Sequence, residues 1–322
     1  WRVSFFVMVP TAASALMQFD VDSDVSSLRY ALCGSAPLPK DLFNKFEQST
    51  GLQILEGYGM TETTCLISGY PPAGTKKIGS VGIPFPYCDV KILNVGEDGK
   101  VLSECKTDEI GEICVNNPGV LVGKTYTDGR KNENVFADGT HFRTGDLGKL
   151  DKDGYLWITG RAKDLIIRGG HNVDPALIED ALSAHPQVAM VGAIGQPDVH
   201  LGEVPCAYVE PMQGSQIHSE ELMNFVKDKL DNKLAMPVYI ETITELPKTP
   251  VGKIFKPDLR RKAITRVFNS EFQDKNIQAS VVDVIEDKVN GLTAVISAEK
   301  NVNDAVISGS LNQFIVPWNR SE

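Results

Sequence analysis

The stretch that decides the fold reads Gly57-Tyr58-Gly59-Met60-Thr61-Glu62-Thr63-Thr64. It follows a strand, helix and strand pattern, which predicts two parallel strands of one sheet. Ligands of such sheets bind beyond the carboxyl ends of the strands. The turn Gly34-Ser35-Ala36-Pro37 and a glycine-rich loop over 57–61 fall at those ends, so we expect a ligand site there. The elements behind this prediction are a strand at 28–33, a helix at 40–49 and a strand at 52–55.

The opening residues 1–19 are apolar, with Arg2 near the start, much as in a secretory signal. However, Pro10 interrupts the apolar run, and the first residue is Trp1 rather than methionine. We therefore expect a buried strand followed by a short helix, in a chain whose beginning lies upstream.

Residues 76–157 carry short alternating patterns separated by Asp-Gly pairs, which are typical of tight hairpins. This region is predicted to be a β-rich subdomain. The pair at 153–154 is expected to join a strand that carries Asp146 to a strand that carries Trp157. The other two pairs lie at 98–99 and 138–139.

A small α+β domain is expected from about Lys163 onward, because helical and strand patterns alternate there. Asp174 precedes Pro175, a pairing typical of an N-cap and a first helical residue. The predicted helices lie at 175–184, 220–234 (capped by Ser219) and 303–312, and the predicted strands at 188–194, 204–210, 239–246, 280–285 and 292–297.

The composition is that of an ordinary globular protein: 322 residues, 42% hydrophobic and 23% charged, enough for about two domains. The 42 acidic and 32 basic residues give a net charge of −10, which argues against a nucleic-acid partner. Six cysteines without a C-x-x-C pair indicate neither a zinc site nor a disulfide framework. Reduced thiols in a cytoplasmic protein without a transmembrane segment are the expectation.

Three more motifs follow the opening stretch in order. They are Arg143-Thr144-Gly145-Asp146, then Gly160-Arg161-Ala162-Lys163-Asp164 running on to Gly169-Gly170-His171-Asn172, then Pro247-Lys248-Thr249-Pro250-Val251-Gly252-Lys253. Each motif alone has a simpler explanation, namely a turn, a locally capping aspartate or a surface ion pair. Together, over residues 28–261, they resemble the adenylate-forming superfamily of acyl-CoA synthetases, luciferases and peptide-synthetase adenylation domains.

The resemblance implies an α/β fold. It consists of an incomplete large adenylate-forming domain, with part of a parallel sheet and the β-rich subdomain, followed by a small mobile α+β domain. The implied boundaries are 1–160 for the large domain and 161–261 for the small one, with 262–322 as an extension of unassigned role. The family's phosphate-binding Ser/Thr/Gly-rich loop is expected upstream of Trp1. We therefore expect the carboxyl-terminal part of a longer synthetase, inactive by itself.

For ATP, the resemblance assigns roles to the first motifs. Tyr58 lies against the adenine, Thr61 donates its hydroxyl to the α-phosphate, and Glu62 binds Mg²⁺ as a hard carboxylate ligand. Thr61 and Glu62 thereby count as catalytic. The remaining nucleotide contacts are assigned to Gly34, Ser35, Ala36, Gly57, Gly59 and Met60.

The later motifs are assigned to the ribose, the hinge and coenzyme A. Asp146 accepts hydrogen bonds from the ribose hydroxyls, and Arg161 contacts the ribose. Lys163 is the hinge, and Gly170 with its neighbours lines the path of the pantetheine chain. Lys253, on a punctuated and mobile loop, bridges the substrate carboxylate and the α-phosphate, which makes it the main catalytic residue.

These roles describe the activation of a small-molecule carboxylic acid. A carboxylate is a poor electrophile, so the acid must first attack the α-phosphorus of ATP, and the enzyme must screen the repulsion between two anions. The expected function is ATP- and Mg²⁺-dependent formation of an acyl adenylate from a fatty or other hydrophobic acid, with transfer to CoA. The alternatives are an aryl- or amino-acid-adenylating enzyme and a nucleotide-binding fragment without turnover. Ile167 departs from relatives that carry a lysine there, and Asn172 from those that carry Arg or Gln.

Overall fold

The computed structural model describes residues 2–96, 100–250, 252–287 and 291–321. The chain divides into two compact units, Trp1–Asp164 and Leu165–Glu322. The described elements of the first unit are β1 (Phe5–Met8), α1 (Pro10–Leu16), β2 (Tyr30–Gly34), α2 (Lys40–Thr50), β3 (Gln53–Met60), β4 (Cys65–Gly69), β5 (Ile83–Pro84), β6 (Asp89–Val95), β7 (Val101–Glu104), β8 (Gly111–Asn116), β9 (Phe136–Ala137), β10 (His141–Leu150) and β11 (Leu156–Arg161).

A five-stranded sheet with the order β1-β2-β3-β4-β5 carries the first motif. β1, β2 and β3 are parallel, as the strand, helix and strand pattern predicted, whereas β4 and β5 are antiparallel. Helices α1 and α2 pack on one face through a core that includes Phe43 and Phe46. The strand expected to be buried near the start is exposed on its other face, at Phe5 and Val7, because only alternate side chains of β1 point toward α1.

The glycine-rich loop expected over 57–61 is a correction: residues 57–60 are the last four residues of β3. They stay extended because β4 turns back and pairs with them in an antiparallel register, Gly57 opposite Gly69 and Met60 opposite Cys65. Such non-local pairing overrides the local preference of glycine for a loop. The chain leaves the strand only at a short 3₁₀ helix, Thr61–Thr63.

The predicted β-rich subdomain is present as a six-stranded antiparallel sheet with the order β11-β10-β8-β6-β7, and with β9 added beside β10. The Asp138-Gly139 turn joins β9 to β10 with both residues at positive φ, 49° and 80°. The Asp153-Gly154 turn joins the strand that carries Asp146 to the strand that carries Trp157, as predicted. The Asp98-Gly99 pair lies outside the described residues.

In the second unit, the described elements are β12 (Ile166–Arg168), β13 (His171–Val173), α3 (Pro175–Ser183), β14 (Val188–Asp198), β15 (Gly202–Pro211), α4 (Ser219–Lys229), β16 (Tyr239–Thr242), α5 (Lys256–Asp274), β17 (Ala279–Asp287), β18 (Gly291–Ala298), α6 (Asp304–Leu311) and β19 (Trp318–Arg320). A five-stranded sheet has the order β13-β12-β15-β14, with β16 beside β15. Alternate residues of β14 and β15 face α3 and α4 on one side and α5 on the other.

Most elements predicted in the second half are present, and β12, β13 and β19 are additional strands. Helix α4 begins at Ser219 itself and ends at Lys229, because Leu230 is extended. Strand β16 ends at Thr242 rather than at 246. Helix α5 was not predicted, and the expected boundary at 261/262 falls inside it.

Helix α5 connects the small sheet to the residues that follow. Its buried Leu259 and Ala263 belong to a cluster with β14 and β15. Ile264, Phe268 and Phe272 belong to a second cluster with the three-stranded sheet β17-β18-β19 and with α6. No helix in the described part of the chain combines the length and the apolarity needed to cross a lipid bilayer.

Candidate active site

The carboxyl ends of β2 and β3 lie side by side, and this contact places the first two predicted groups together. Gly34 pairs with Gly57 in the parallel register. A Cβ on Gly34 would stand 2.7 Å from the carbonyl oxygen of Gly57, so a larger residue does not fit there. Ser35 then adopts a positive φ of 74° and begins the turn that contains Ala36. The predicted Gly34-Ser35-Ala36 turn is therefore a neighbour of the glycine-rich stretch.

Gly59 marks the closest approach between β3 and β4. A Cβ at this position would lie 1.6 Å from the carbonyl oxygen of Cys65. The register shifts between Tyr58 and Gly59, which is the signature of a bulge. The extra residue of this bulge is Ile67 on β4, and the missing side chain at Gly59 leaves room for the β4 backbone beside it.

Asp146 is the centre of a compact polar cluster. The Tyr58 hydroxyl donates to its Oδ2 at 2.6 Å, and Arg161 Nε donates to its Oδ1 at 2.6 Å. Arg161 stands directly opposite Asp146 in the β10–β11 register, so strand pairing alone brings these two together. The Asp146 side chain is 7% exposed, whereas that of Arg161 is 46% exposed. Three residues assigned to the nucleotide are therefore in direct contact.

The electrostatics of this cluster follow from burial beside a negative charge. Burial raises the pKa of Tyr58, and the charge of Asp146 raises it further, so the phenol remains a proton donor. For Arg161, burial alone lowers the pKa, but the neighbouring carboxylate outweighs burial and the net shift is upward. Both donors therefore keep the protons that they share with the carboxylate.

Two residues of the same motif, to which the sequence analysis assigned no role, support Asp146. Thr144 Oγ1 accepts a hydrogen bond from the Asp146 amide at 3.1 Å and donates to the Ile113 carbonyl at 2.8 Å. Arg143, from the same motif, is bound to the buried Glu112 through Nε at 3.0 Å and through a terminal nitrogen at 2.8 Å. These contacts fix the middle of β10, from which Asp146 projects.

Thr61 and Glu62 lie in the 3₁₀ turn after β3, and this turn is held by hydrogen bonds to a distant loop. The carbonyl oxygen of Thr63 accepts from Asn117 Nδ2 at 2.9 Å, and Thr64 donates to the Gly119 carbonyl at 2.9 Å. Thr61 is exposed and Glu62 is half-buried. The Glu62 Oε1 atom accepts from the hydroxyl of Tyr126 at 3.0 Å, a contact that the sequence did not predict.

The residues present fit a single Mg²⁺ that is shared with phosphate groups. In the part of the chain that the structure describes, no cluster of three His, Cys, Asp or Glu side chains is arranged to hold a metal. Mg²⁺ is commonly bound by one or two carboxylates together with substrate phosphates, rather than by a cage of protein ligands. Glu62, with one oxygen engaged by Tyr126, is the carboxylate that would hold such an ion.

Lys163 and Gly170 lie on either side of the division between the units. Lys163 is exposed in a 3₁₀ turn, Ala162–Asp164, at the end of the first unit. Gly169 and Gly170, at φ 57° and 81°, form the two-residue turn between β12 and β13 in the second. Paired positive φ values define the tight hairpin turn that glycine favours.

Lys253 lies in the second unit on a small closed loop. Lys248 and Ile254 form an isolated antiparallel bridge, and the Thr249 amide donates to the Lys253 carbonyl at 2.7 Å. Thr249 Oγ1 also accepts from the Lys253 amide at 3.1 Å. The backbone at Lys253 is therefore held, while its half-buried side chain forms no ion pair with any residue that the structure describes.

Comparison with known proteins places the chain in a family. The family model described as AMP-binding enzyme matches residues 1–126, and the model described as AMP-binding enzyme C-terminal domain matches residues 177–253. The chain belongs to the AMP-binding enzyme family. The first match contains residues 57–64 and the second ends at Lys253, whereas Asp146 and Arg161 lie between the two.

Individual relatives extend the similarity across most of the chain. Marinolic acid–CoA ligase of Pseudoalteromonas sp. (strain SANK 73390) is 42% identical, over 90% of this chain and 44% of that protein. Indoleacetate–CoA ligase of Aromatoleum aromaticum is 34% identical, over 83% of this chain and 51% of that protein. The solved structure of ATP-bound MatB from Rhodopseudomonas palustris is 33% identical, with a TM-score of 0.73, over 80% of this chain and 50% of that one. The chain spans about half the length of these relatives, and the α/β fold is confirmed.

Proposed function

We propose that the protein takes part in the ATP- and Mg²⁺-dependent activation of a carboxylic acid and in the transfer of the acyl group to coenzyme A. The observation that carries this proposal is the contact of Tyr58 and Arg161 with Asp146 at 2.6 Å each, in a chain of the AMP-binding family. Supporting it, two relatives are named as CoA ligases and a structural neighbour is described as ATP-bound.

Asp146 is proposed to bind the ribose. A carboxylate has about four lone-pair positions, and two of these are engaged by Tyr58 and Arg161. The remaining positions suit a pair of neighbouring hydroxyl groups. The two protein donors fix the carboxylate plane before the sugar arrives, which reduces the entropy lost on binding.

Glu62 and Thr61 are proposed to act at the phosphates. Bound Mg²⁺ would neutralise negative charge on the phosphate oxygens. Glu62 supplies a hard oxygen ligand at this position, and the exposed Thr61 hydroxyl supplies a hydrogen-bond donor. Gly34, Ser35, Ala36, Gly57, Gly59 and Met60 are proposed to line the same pocket, because the contact of Gly34 with Gly57 puts both groups at one sheet edge.

Lys253 is proposed as the catalytic cation. The acid and the α-phosphate are both anionic, so an ammonium group between them lowers the repulsion as they approach. An amino group without an ion-pair partner among the described residues is available for this purpose. Lys163 is proposed as the hinge between the units, and the Gly169-Gly170 turn as part of the path of the CoA thiol.

The acid is proposed to be a fatty or other hydrophobic acid, and an aryl acid is the second candidate. The indoleacetate–CoA ligase, 34% identical, is the observation in favour of the second. A cytoplasmic location is also proposed, in line with six cysteines that are all free.

The substrate class is tested by measuring pyrophosphate release with the protein expressed from its complete reading frame. A panel of aliphatic, aryl and amino acids is offered, with CoA present or omitted. We expect acid-dependent release without CoA, and an acyl-CoA product only when CoA is added. If none of the acids in the panel stimulated pyrophosphate release, the proposal would be rejected in favour of a nucleotide-binding protein without ligase activity.

Lys253 is tested by separating the two half-reactions. In Lys253→Ala we expect adenylation to fall about 10²–10³-fold, the usual cost of removing one electrostatic stabiliser. Thioester formation from a presynthesised acyl adenylate should survive much better. Lys227→Ala, which removes an exposed lysine on α4, is the matched control. An equal loss in both half-reactions would contradict the assignment.

A further inference from the structure

The carboxylate of Glu62 is oriented by a phenol from a distant part of the chain. Tyr126 donates to Glu62 Oε1 at 3.0 Å, across a separation of 64 residues. Among the residues that the structure describes, none donates a hydrogen bond to Oε2. One oxygen of the carboxylate is therefore engaged, while the other remains available to a ligand.

Tyr126 is itself held in place by its surroundings. The Asn132 side chain accepts from the Tyr126 amide at 2.8 Å and donates to the Tyr126 carbonyl at 2.8 Å. The tyrosine ring lies 6.5 Å from the ring of Phe142, which is only 2% exposed. Two hydrogen bonds from the Asn132 side chain to the Tyr126 backbone, and one aromatic contact, thus hold the tyrosine in place before any ligand binds.

We propose that Tyr126 is a positioning residue, which holds Glu62 so that a single oxygen faces the divalent cation bound with the nucleotide. This inference rests on the proposed function. Mg²⁺ requires near-ideal octahedral geometry, so a carboxylate that rotates freely is a poor ligand for it. Hydrogen-bond partners of metal ligands commonly affect metal affinity about 10–100-fold.

The test compares metal-dependent with metal-free nucleotide binding, in the protein expressed from its complete reading frame. Mn²⁺ replaces Mg²⁺ as a paramagnetic probe, and electron paramagnetic resonance with calorimetry measures the dissociation constants of Mn²⁺·ATP and of ATP without metal. In Tyr126→Phe we expect the constant for Mn²⁺·ATP to rise about tenfold, with that for metal-free ATP nearly unchanged. The Mg²⁺ concentration for half-maximal pyrophosphate release should rise as well, whereas kcat at saturating Mg²⁺ changes little.

The control is Tyr87→Phe, which removes a hydroxyl from a tyrosine that is 87% exposed. Tyr126→Phe retains the ring on Phe142, so its melting temperature should match that of this control. Equal affinity of wild type and Tyr126→Phe for Mn²⁺·ATP would overturn the role of Tyr126 alone. Failure of the wild type to bind Mn²⁺·ATP would overturn the proposed function. A rise in both nucleotide constants would indicate a general structural effect and would also reject the inference.

Discussion

At the scale of single residues, Asp174 makes the stability of the second unit depend on pH. Its side chain accepts from the Ala176 amide at 2.9 Å and so caps α3. Burial raises the pKa of the carboxyl to about 6, from an ordinary value of 3.8, and the capping hydrogen bond only partly offsets it. The folded state therefore binds this proton more tightly than the unfolded state. The stabilisation is complete below about pH 4 and is lost as the pH rises through about 6.

Replacing the charge while keeping the cap should remove this dependence. Asparagine is an equally good capping residue. We expect the free energy of unfolding of Asp174→Asn to match that of wild type near pH 4 and to exceed it by about 1–2 kcal/mol at pH 8. Hydrogen exchange of α3 peptides across a urea series measures both values. Asp228→Asn, on the exposed face of α4, is the control. The prediction would be contradicted if the wild type became more stable than Asp174→Asn as the pH rises.

Individual contacts differ in how far the sequence could predict them. Arg161 meets Asp146 because a hairpin with a recognisable Asp-Gly turn pairs the two residues. Tyr58 reaches Asp146 across 88 residues, and only the order of motifs suggested that they share a site. Tyr126 belongs to no motif, so its contact with Glu62 depends on tertiary packing, for which the local sequence has no signal.

At the scale of elements, the antiparallel pairing of β3 with β4 depends on Gly59. A Cβ there would lie 1.6 Å from the Cys65 carbonyl oxygen and 2.6 Å from its carbon, and both are backbone atoms that cannot rotate away. We expect Gly59→Ala to destabilise the first unit by more than about 4 kcal/mol, beyond the range of ordinary substitutions. The measurement is hydrogen exchange of β3 and β4 peptides combined with thermal unfolding.

Gly129→Ala is the matched control, because no atom lies within 4 Å of a Cβ built at that glycine. Its effect should stay within about 0.5 kcal/mol. If Gly59→Ala had the same melting temperature as Gly129→Ala, the β3–β4 geometry described above would be wrong.

Elements with a local signal were predicted well, and the exceptions have physical reasons. The Asp174-Pro175 signal located the start of α3, and the apolar spacing over 40–49 located α2. The extension of β3 through Met60 depends on β4 and could not be read locally. Helix α5 did have a signal, since Pro257 lies in its first turn and its buried residues recur at intervals of four, first Leu259 and Ala263 and then Ile264, Phe268 and Phe272. Its many charged residues concealed that pattern.

At the scale of the whole molecule, each unit has a hydrophobic core of its own. Phe43 belongs to the core of the first unit and is 2% exposed, and Phe268 belongs to the second and is 0% exposed. Phe268 lies on the part of α5 that packs against β17, β18 and α6. The second unit therefore has a buried cluster formed largely by residues of the 262–322 segment.

Separate cores predict separate responses to a cavity. Phe43→Ala and Phe268→Ala each remove one buried ring, at a typical cost of about 3–5 kcal/mol. We expect Phe43→Ala to lower the hydrogen-exchange protection of α2 and β3 while β17 and β18 stay protected, and Phe268→Ala to lower the protection of β17 and β18 while α2 and β3 stay protected. Each variant serves as the control for the other, since the substitution is identical. Equal loss of protection across both units in either variant would mean that they unfold as one cooperative body, and the division at residue 164 would then describe geometry rather than stability.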